Sequence, residues 1–134
     1  MTLYVDSSAL LKRYLDEPDS DLADELLGAD EDVVTARITV VEVRRNLARH
    51  LEGRPLAEAR QLFDDDLAAM SIVEMDRGTC ELAAAIAEQI GARSLDAIHL
   101  GALQRLGGVP ITLLTFDHRQ AQAARTLGLP VIGA

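Results

Sequence analysis

The ten residues Thr2 to Leu11, TLYVDSSALL, constrain this chain more than any other stretch. Leu3 to Val5 fits a short buried strand, Asp6 follows it at once, and Ala9, Leu10, Tyr14 and Leu15 then recur at helical spacing. A buried strand that hands over to a helix through an acid places that acid at the carboxyl edge of a sheet. In open α/β sheets, ligands bind in the crevice at that edge. Asp6 is therefore an anchor, and the question is which later acids return to meet it.

The same alternation continues downstream. The first helix spans about Ser7 to Leu15 and stops before Pro18, and Asp19 or Ser20 can cap a second one through Leu27, ended by Gly28. Asp30, Glu31 and Asp32 form an acidic turn before a strand at Val33 to Ala36. Thr39 starts a longer helix with Val40, Val43, Leu47 and Leu51 on one stripe, ended by Gly53, and Pro55 suits the first turn of the next helix, about Pro55 to Met70. This pair reads as an αα-hairpin inserted between sheet elements, because Ser71 to Met75 is strand-like again. A helix from about Gly78 to Ile90 ends at Gly91. Ser94 then caps the helix Leu95 to Leu106, which is apolar on most sides and so expected to be central and covered. Ile111 to Phe116 is the most strand-like run. A helix of about His118 to Leu127 precedes a last short strand at Val131 and Ile132. The pattern specifies an α/β fold, with a central, mostly parallel sheet of about five strands covered by helices on both faces.

Twenty-two acidic residues cannot all serve one site, so position selects among them. Asp6 and Asp117 each follow an apolar strand, where an acid also serves as a helix N-cap. Glu42 lies one turn into a helix, where Thr39-x-x-Glu42 also reads as a capping box. Asp96 lies in a first turn, where the helix dipole favours an acid, but it opens a nearly apolar helix that is costly for an unpaired carboxylate. Each structural account suffices for one acid alone. The four together, two at strand ends and two in helix first turns, would form a hard, oxygen-only nest suited to Mg²⁺ or Mn²⁺ if they converge.

In order and context, VDSSALL, TVVEVRRNL, SLDAIHL and LLTFDHR resemble the PIN-domain nucleases, and more narrowly the VapC-type toxins of bacterial toxin–antitoxin pairs. The resemblance covers nearly the whole chain, and SLDAIHLGAL is its most specific part. It implies a single PIN-like domain over residues 1–134 and an endoribonuclease that hydrolyses RNA phosphodiester bonds without a covalent enzyme intermediate. It implies catalysis and metal ligation by Asp6, Glu42, Asp96 and Asp117, with Mg²⁺ as cofactor and Mn²⁺ as a substitute. Thr115 and Ser7 would orient a neighbouring carboxylate or water. It also implies a homodimer and a VapB-type antitoxin that lays a segment over the crevice, with an Arg or Lys directed at the acids.

Composition bears on these expectations from the other side. Aromatic residues make up 3% of the chain and Trp is missing, which disfavours recognition of single strands by base stacking. A net charge of −9 disfavours a nucleic-acid partner unless part of it serves a cation. Arg13, Arg45, Arg49, Arg93 and Arg119, with Arg44, lie in or near the four motifs, either as solvated helix faces or as clamps on an RNA backbone. His99 reads as a packed or hydrogen-bonded scaffold residue, His118 as a surface one, and Cys80 as a small core residue. A lone Cys, no basic leader and no apolar run of roughly 18 residues lead to the expectation of a cytoplasmic protein without membrane contact. Two other classes compete with the nuclease. A catalytically silent PIN-like binding module would also keep the fold, whereas a phosphoacceptor receiver domain needs a Lys late in the chain, and the one Lys is Lys12.

Overall fold

Both faces of the sheet are covered, and this follows from how the strands alternate. The computed structural model describes residues 2–29 and 32–134, so Asp30 and Glu31 of the expected acidic turn lie outside the described residues. The elements run β1 (Thr2–Val5), α1 (Ser7–Tyr14), α2 (Ser20–Ala29), β2 (Asp32–Ala36), α3 (Ile38–His50), α4 (Gly53–Ala69), β3 (Ser71–Val73), α5 (Arg77–Ile90), α6 (Ser94–Gln104), β4 (Ile111–Thr115), α7 (His118–Thr126) and β5 (Val131–Gly133). Every strand pairing is parallel, in the order β3-β2-β1-β4-β5. Successive side chains of a strand point to opposite faces. Tyr4, Val34, Ala36 and Leu113 thus join one core with α5, α6 and α7, while Leu3, Val5 and Leu114 join the other with α1, α3 and α4.

The chain builds outward from β1 through β2 to β3, then returns to the other side of β1 with β4. The order reverses between β1 and β4, and at such a switch point the crevice opens beyond the strand carboxyl ends. A receiver domain orders its strands 2-1-3-4-5, so that alternative fails on topology. Lys12 does not serve it either: its ammonium donates to the Pro18 carbonyl at 2.8 Å and lies 5.1 Å from the centre of the Phe116 ring.

Several local expectations shift by a residue or two. α3 begins at Ile38, and the Thr39 hydroxyl is 2.7 Å from that of buried Thr35, so the Thr39–Glu42 capping box is not used. α5 is capped by Asp76, which accepts from the Thr79 N–H. Cys80 is exposed rather than in the core, because the buried stripe of α5 follows Thr79, Ala83 and Ile86 and leaves Cys80 beside it. Arg13 is committed to structure. Its Nε and Nη2 donate to the Asp66 carboxylate at 2.6 and 3.1 Å, and the Tyr14 hydroxyl joins them at 2.7 Å, tying α1 to α4.

α6 is the covered helix the sequence implies, with Ala97, His99, Leu100, Gly101, Ala102 and Leu103 all buried. Gly101 permits this closeness: a Cβ there would stand 2.8 Å from the Ala83 nitrogen and 3.0 Å from its Cα. The α5 backbone cannot yield as a side-chain tip would. Gly101→Ala is expected to destabilise the protein by about 1–3 kcal/mol through overpacking, read by urea unfolding. An unchanged midpoint would show that α5 and α6 are not so closely fixed.

Candidate active site

Asp6 leaves β1 at the switch point and caps α1. Its Oδ1 accepts the Ala9 N–H at 3.1 Å and the Ser8 hydroxyl at 2.6 Å, and its Oδ2 accepts the Thr115 hydroxyl at 2.5 Å. Only 4% of the residue is exposed, and among the described residues no Arg or Lys pairs with it. Burial raises its pKa above the usual carboxylate value, although the field of His99 and the hydrogen bonds from Ser8, Thr115 and Ala9 pull it down. The supporting hydroxyl is that of Ser8, one position beyond the expected Ser7. Ser8 also accepts the Phe116 N–H at 3.0 Å, which ties the start of α1 to the end of β4.

Asp117 leaves β4 and caps α7, accepting the Arg119 and Gln120 N–H groups at 2.8 and 3.2 Å. Its own N–H donates to the Thr115 hydroxyl at 3.1 Å. Thr115, fully buried, therefore couples Asp6 to Asp117 through one oxygen. For both acids the cap role is compatible with a place in a site, since the amides of the first turn fix where the carboxylate stands.

Glu42, on α3, is held from the opposite side. His99 Nε2 lies 2.7 Å from Glu42 Oε1, and His99 Nδ1 lies 2.8 Å from the hydroxyl of fully buried Tyr4. An ionised Glu42 can only accept, so Nε2 carries the proton in that state. Burial of His99 opposes a charge, but the bond to Glu42 and the fields of Asp6, Glu42 and Asp96 outweigh it and raise the His99 pKa. Three of the four acids thus act on one imidazole. Burial, then Asp6 and Glu42, likewise push the Tyr4 pKa well above its ordinary value. Tyr4→Phe removes the partner of a buried ring nitrogen, and about 1–3 kcal/mol of stability is expected to go with it. Chemical denaturation measures this, and wild-type stability would mean the Tyr4–His99 bond contributes nothing.

Asp96, in the first turn of α6, accepts Arg93 Nε at 3.0 Å, and Arg93 Nη2 reaches Asp117 Oδ2 at 3.6 Å. Gln120 of α7 donates to the Asp96 carbonyl at 3.4 Å, and its own side-chain oxygen is buried without a partner among the described residues. Arg93 and Arg119 line a hollow of about 290 Å³ with Asp96, Gln122 and Thr126. Arg44, Arg45 and Arg49 are exposed along α3. Ser8, Tyr4 and Gln120 were not singled out from sequence. Tyr4 alone left a trace, as the one hydroxyl-bearing ring in an otherwise aliphatic strand run.

The donor set suits a hard divalent cation, since all four groups are carboxylates and, among the described residues, Asp6 is buried without an Arg or Lys paired to it. The side chains are not gathered into a cage, however. Among the described residues no three Asp, Glu, His or Cys side chains converge to hold an ion. Glu42 is instead paired with His99, and Asp96 and Asp117 both lie within reach of Arg93.

Comparison with known proteins agrees with this architecture. The PIN domain family model matches residues 3–126. A Mycobacterium tuberculosis protein named Ribonuclease VapC46 is 35% identical over 97% of this chain and 95% of its own length. Ribonuclease VapC47 of the same species is 33% identical, over 94% of this chain and 92% of its own. Among solved structures, Neisseria gonorrhoeae FitAcB aligns over 98% of this chain and 97% of that one, with a TM-score of 0.77 at 20% identity. M. tuberculosis VapC20, described as a sarcin-ricin loop cleaving toxin, aligns over 91% and 95%, with a TM-score of 0.73 at 18% identity.

Proposed function

The chain belongs to the PIN domain family, and from that premise we propose that it is a metal-dependent endoribonuclease, the toxin of a type II toxin–antitoxin pair. The reading is supported by three links, the Thr115 hydroxyl between Asp6 and Asp117, Arg93 between Asp96 and Asp117, and His99 on Glu42, in a chain 35% identical to a named ribonuclease. In this reading the four carboxylates hold Mg²⁺, or Mn²⁺ in its place. When bound, such an ion supplies Lewis-acid chemistry, activating water and offsetting charge on the phosphoryl oxygens during in-line displacement.

The chain's own residues prepare that chemistry. Thr115 and Ser8 fix the Asp6 oxygens, His99 backed by Tyr4 fixes Glu42, and the first amides of α7 fix Asp117. Arg93 and Arg119 present guanidinium groups to the adjoining hollow, where an RNA phosphate is received, and Arg45 and Arg49 extend the basic surface along α3. Arg13 has no part in this, being held by Asp66.

The partner is a VapB-type antitoxin that covers the anionic crevice with a basic side chain, as charge complementarity favours, and the toxin is a homodimer. A solved structural neighbour is titled as a toxin–antitoxin complex from Klebsiella pneumoniae. A silent binding module is disfavoured because all four acidic positions of the motifs are kept. No helix among the described residues is long and apolar enough to cross a membrane.

The test is cleavage of structured RNA by the purified chain. Discrete fragments are expected with millimolar Mg²⁺ or Mn²⁺ and none after chelation. Cleavage that persists in chelator, or no cleavage with either ion, would overturn the reading.

A further inference from the structure

Arg93 is the residue immediately before α6, and its side chain takes no part in capping that helix. It reaches two carboxylates on different elements instead, Asp96 of α6 at 3.0 Å and Asp117 at the head of α7 at 3.6 Å. Asp96 is largely shielded, with its side chain 13% exposed, while Arg93 remains 53% exposed, with solvent on its outer side. Arg93 also lines the hollow beside the acids with Arg119. One cation therefore pairs with two of the four groups assigned to the metal.

We propose that Arg93 is an internal counter-ion for Asp96 and Asp117, which a divalent ion must displace, so that Arg93 sets the metal affinity of the site. The inference rests on the metal-dependent reading above. Two like charges facing one pocket repel, and a guanidinium that spans them relieves the repulsion. A divalent ion taking the same oxygens has to undo both contacts, and its binding is weakened by what they contributed. Arg93 is thus a positioning residue. It tunes when the acids become available and does not itself touch the ion.

The experiment is Mn²⁺ titration by calorimetry of the full chain and of two variants. Arg93→Gln removes the bridge, while Arg119→Gln removes one positive charge from the same hollow without touching either acid. Arg93→Gln is expected to bind Mn²⁺ about tenfold tighter, a change of roughly 1.4 kcal/mol, and Arg119→Gln within about threefold of wild type, in line with a screened surface charge. In chelator, Arg93→Gln should melt below wild type, and saturating Mn²⁺ should give it the larger upward shift. Equal affinities for Arg93→Gln and Arg119→Gln, or weaker binding by Arg93→Gln, overturn the counter-ion role while leaving the metal site standing. No Mn²⁺ binding by any of the three overturns both.

Discussion

Asp6→Asn is expected to lower RNA cleavage sharply and raise the melting temperature together. The amide matches the carboxylate in shape and retains an oxygen for the Ala9 N–H and the Ser8 hydroxyl. Its nitrogen faces Thr115, whose hydroxyl now accepts there and turns its proton to Ser8 Oγ, 3.2 Å away. One of the two amide N–H groups is thereby paired, and the buried charge is gone. Because burial holds the folded pKa of Asp6 above its ordinary 3.8, the folded wild type binds this proton more tightly than the unfolded chain does. Its stability therefore falls as pH rises from 3.8 through that raised value and stays reduced above it. The gain from Asp6→Asn, measured in chelator, is present at pH 7 and vanishes below about pH 3.8. Activity should drop by roughly a hundredfold or more, since losing a metal ligand costs at least as much as the roughly 10–100-fold of losing a group that orients one. A variant that melts lower, or cleaves like wild type, would refute the role given to this carboxylate.

The second large effect concerns the ion itself. A ligand that binds the native site and not the unfolded chain stabilises by about 2.7 kcal/mol at a hundred times its dissociation constant. For a chain of 134 residues that amounts to a rise of about 10 °C in melting temperature. Scanning calorimetry with saturating Mn²⁺ should show it for wild type and lose most of it in Glu42→Gln, Asp96→Asn and Asp117→Asn. Those substitutions remove ligands but keep shape, so a variant that retains the full shift holds no part of the site.

What could be read from sequence was what a single element determines. β1, Asp6 and the first helix were legible because a strand buried on both faces is continuously apolar and its end is marked by the acid. Asp117 followed from the same logic on β4, and the covered α6 from its lack of a polar side. Errors of one or two positions arose where helical phase decides. Cys80 falls beside the buried stripe of α5, and Ser8 rather than Ser7 reaches Asp6. Contacts between distant segments left almost no trace. Tyr4 and His99 meet across 95 positions, and nothing local to either announces the other. Arg93 read as a solvated arginine or a clamp on RNA, not as a partner of two acids. Its bridge to Asp117 exists only because α6 and α7 begin side by side at the switch point.

Four distant segments bringing their carboxylates to one cation is the claim on which the enzyme depends, and diffraction from crystals soaked in Mn²⁺ tests it most directly. Anomalous scattering should place the ion about 2.0–2.3 Å from oxygens of at least three of Asp6, Glu42, Asp96 and Asp117, with Arg93 swung away from Asp96. An ion bound elsewhere, or none at all with Glu42 still on His99 and Arg93 still on Asp96, would contradict it.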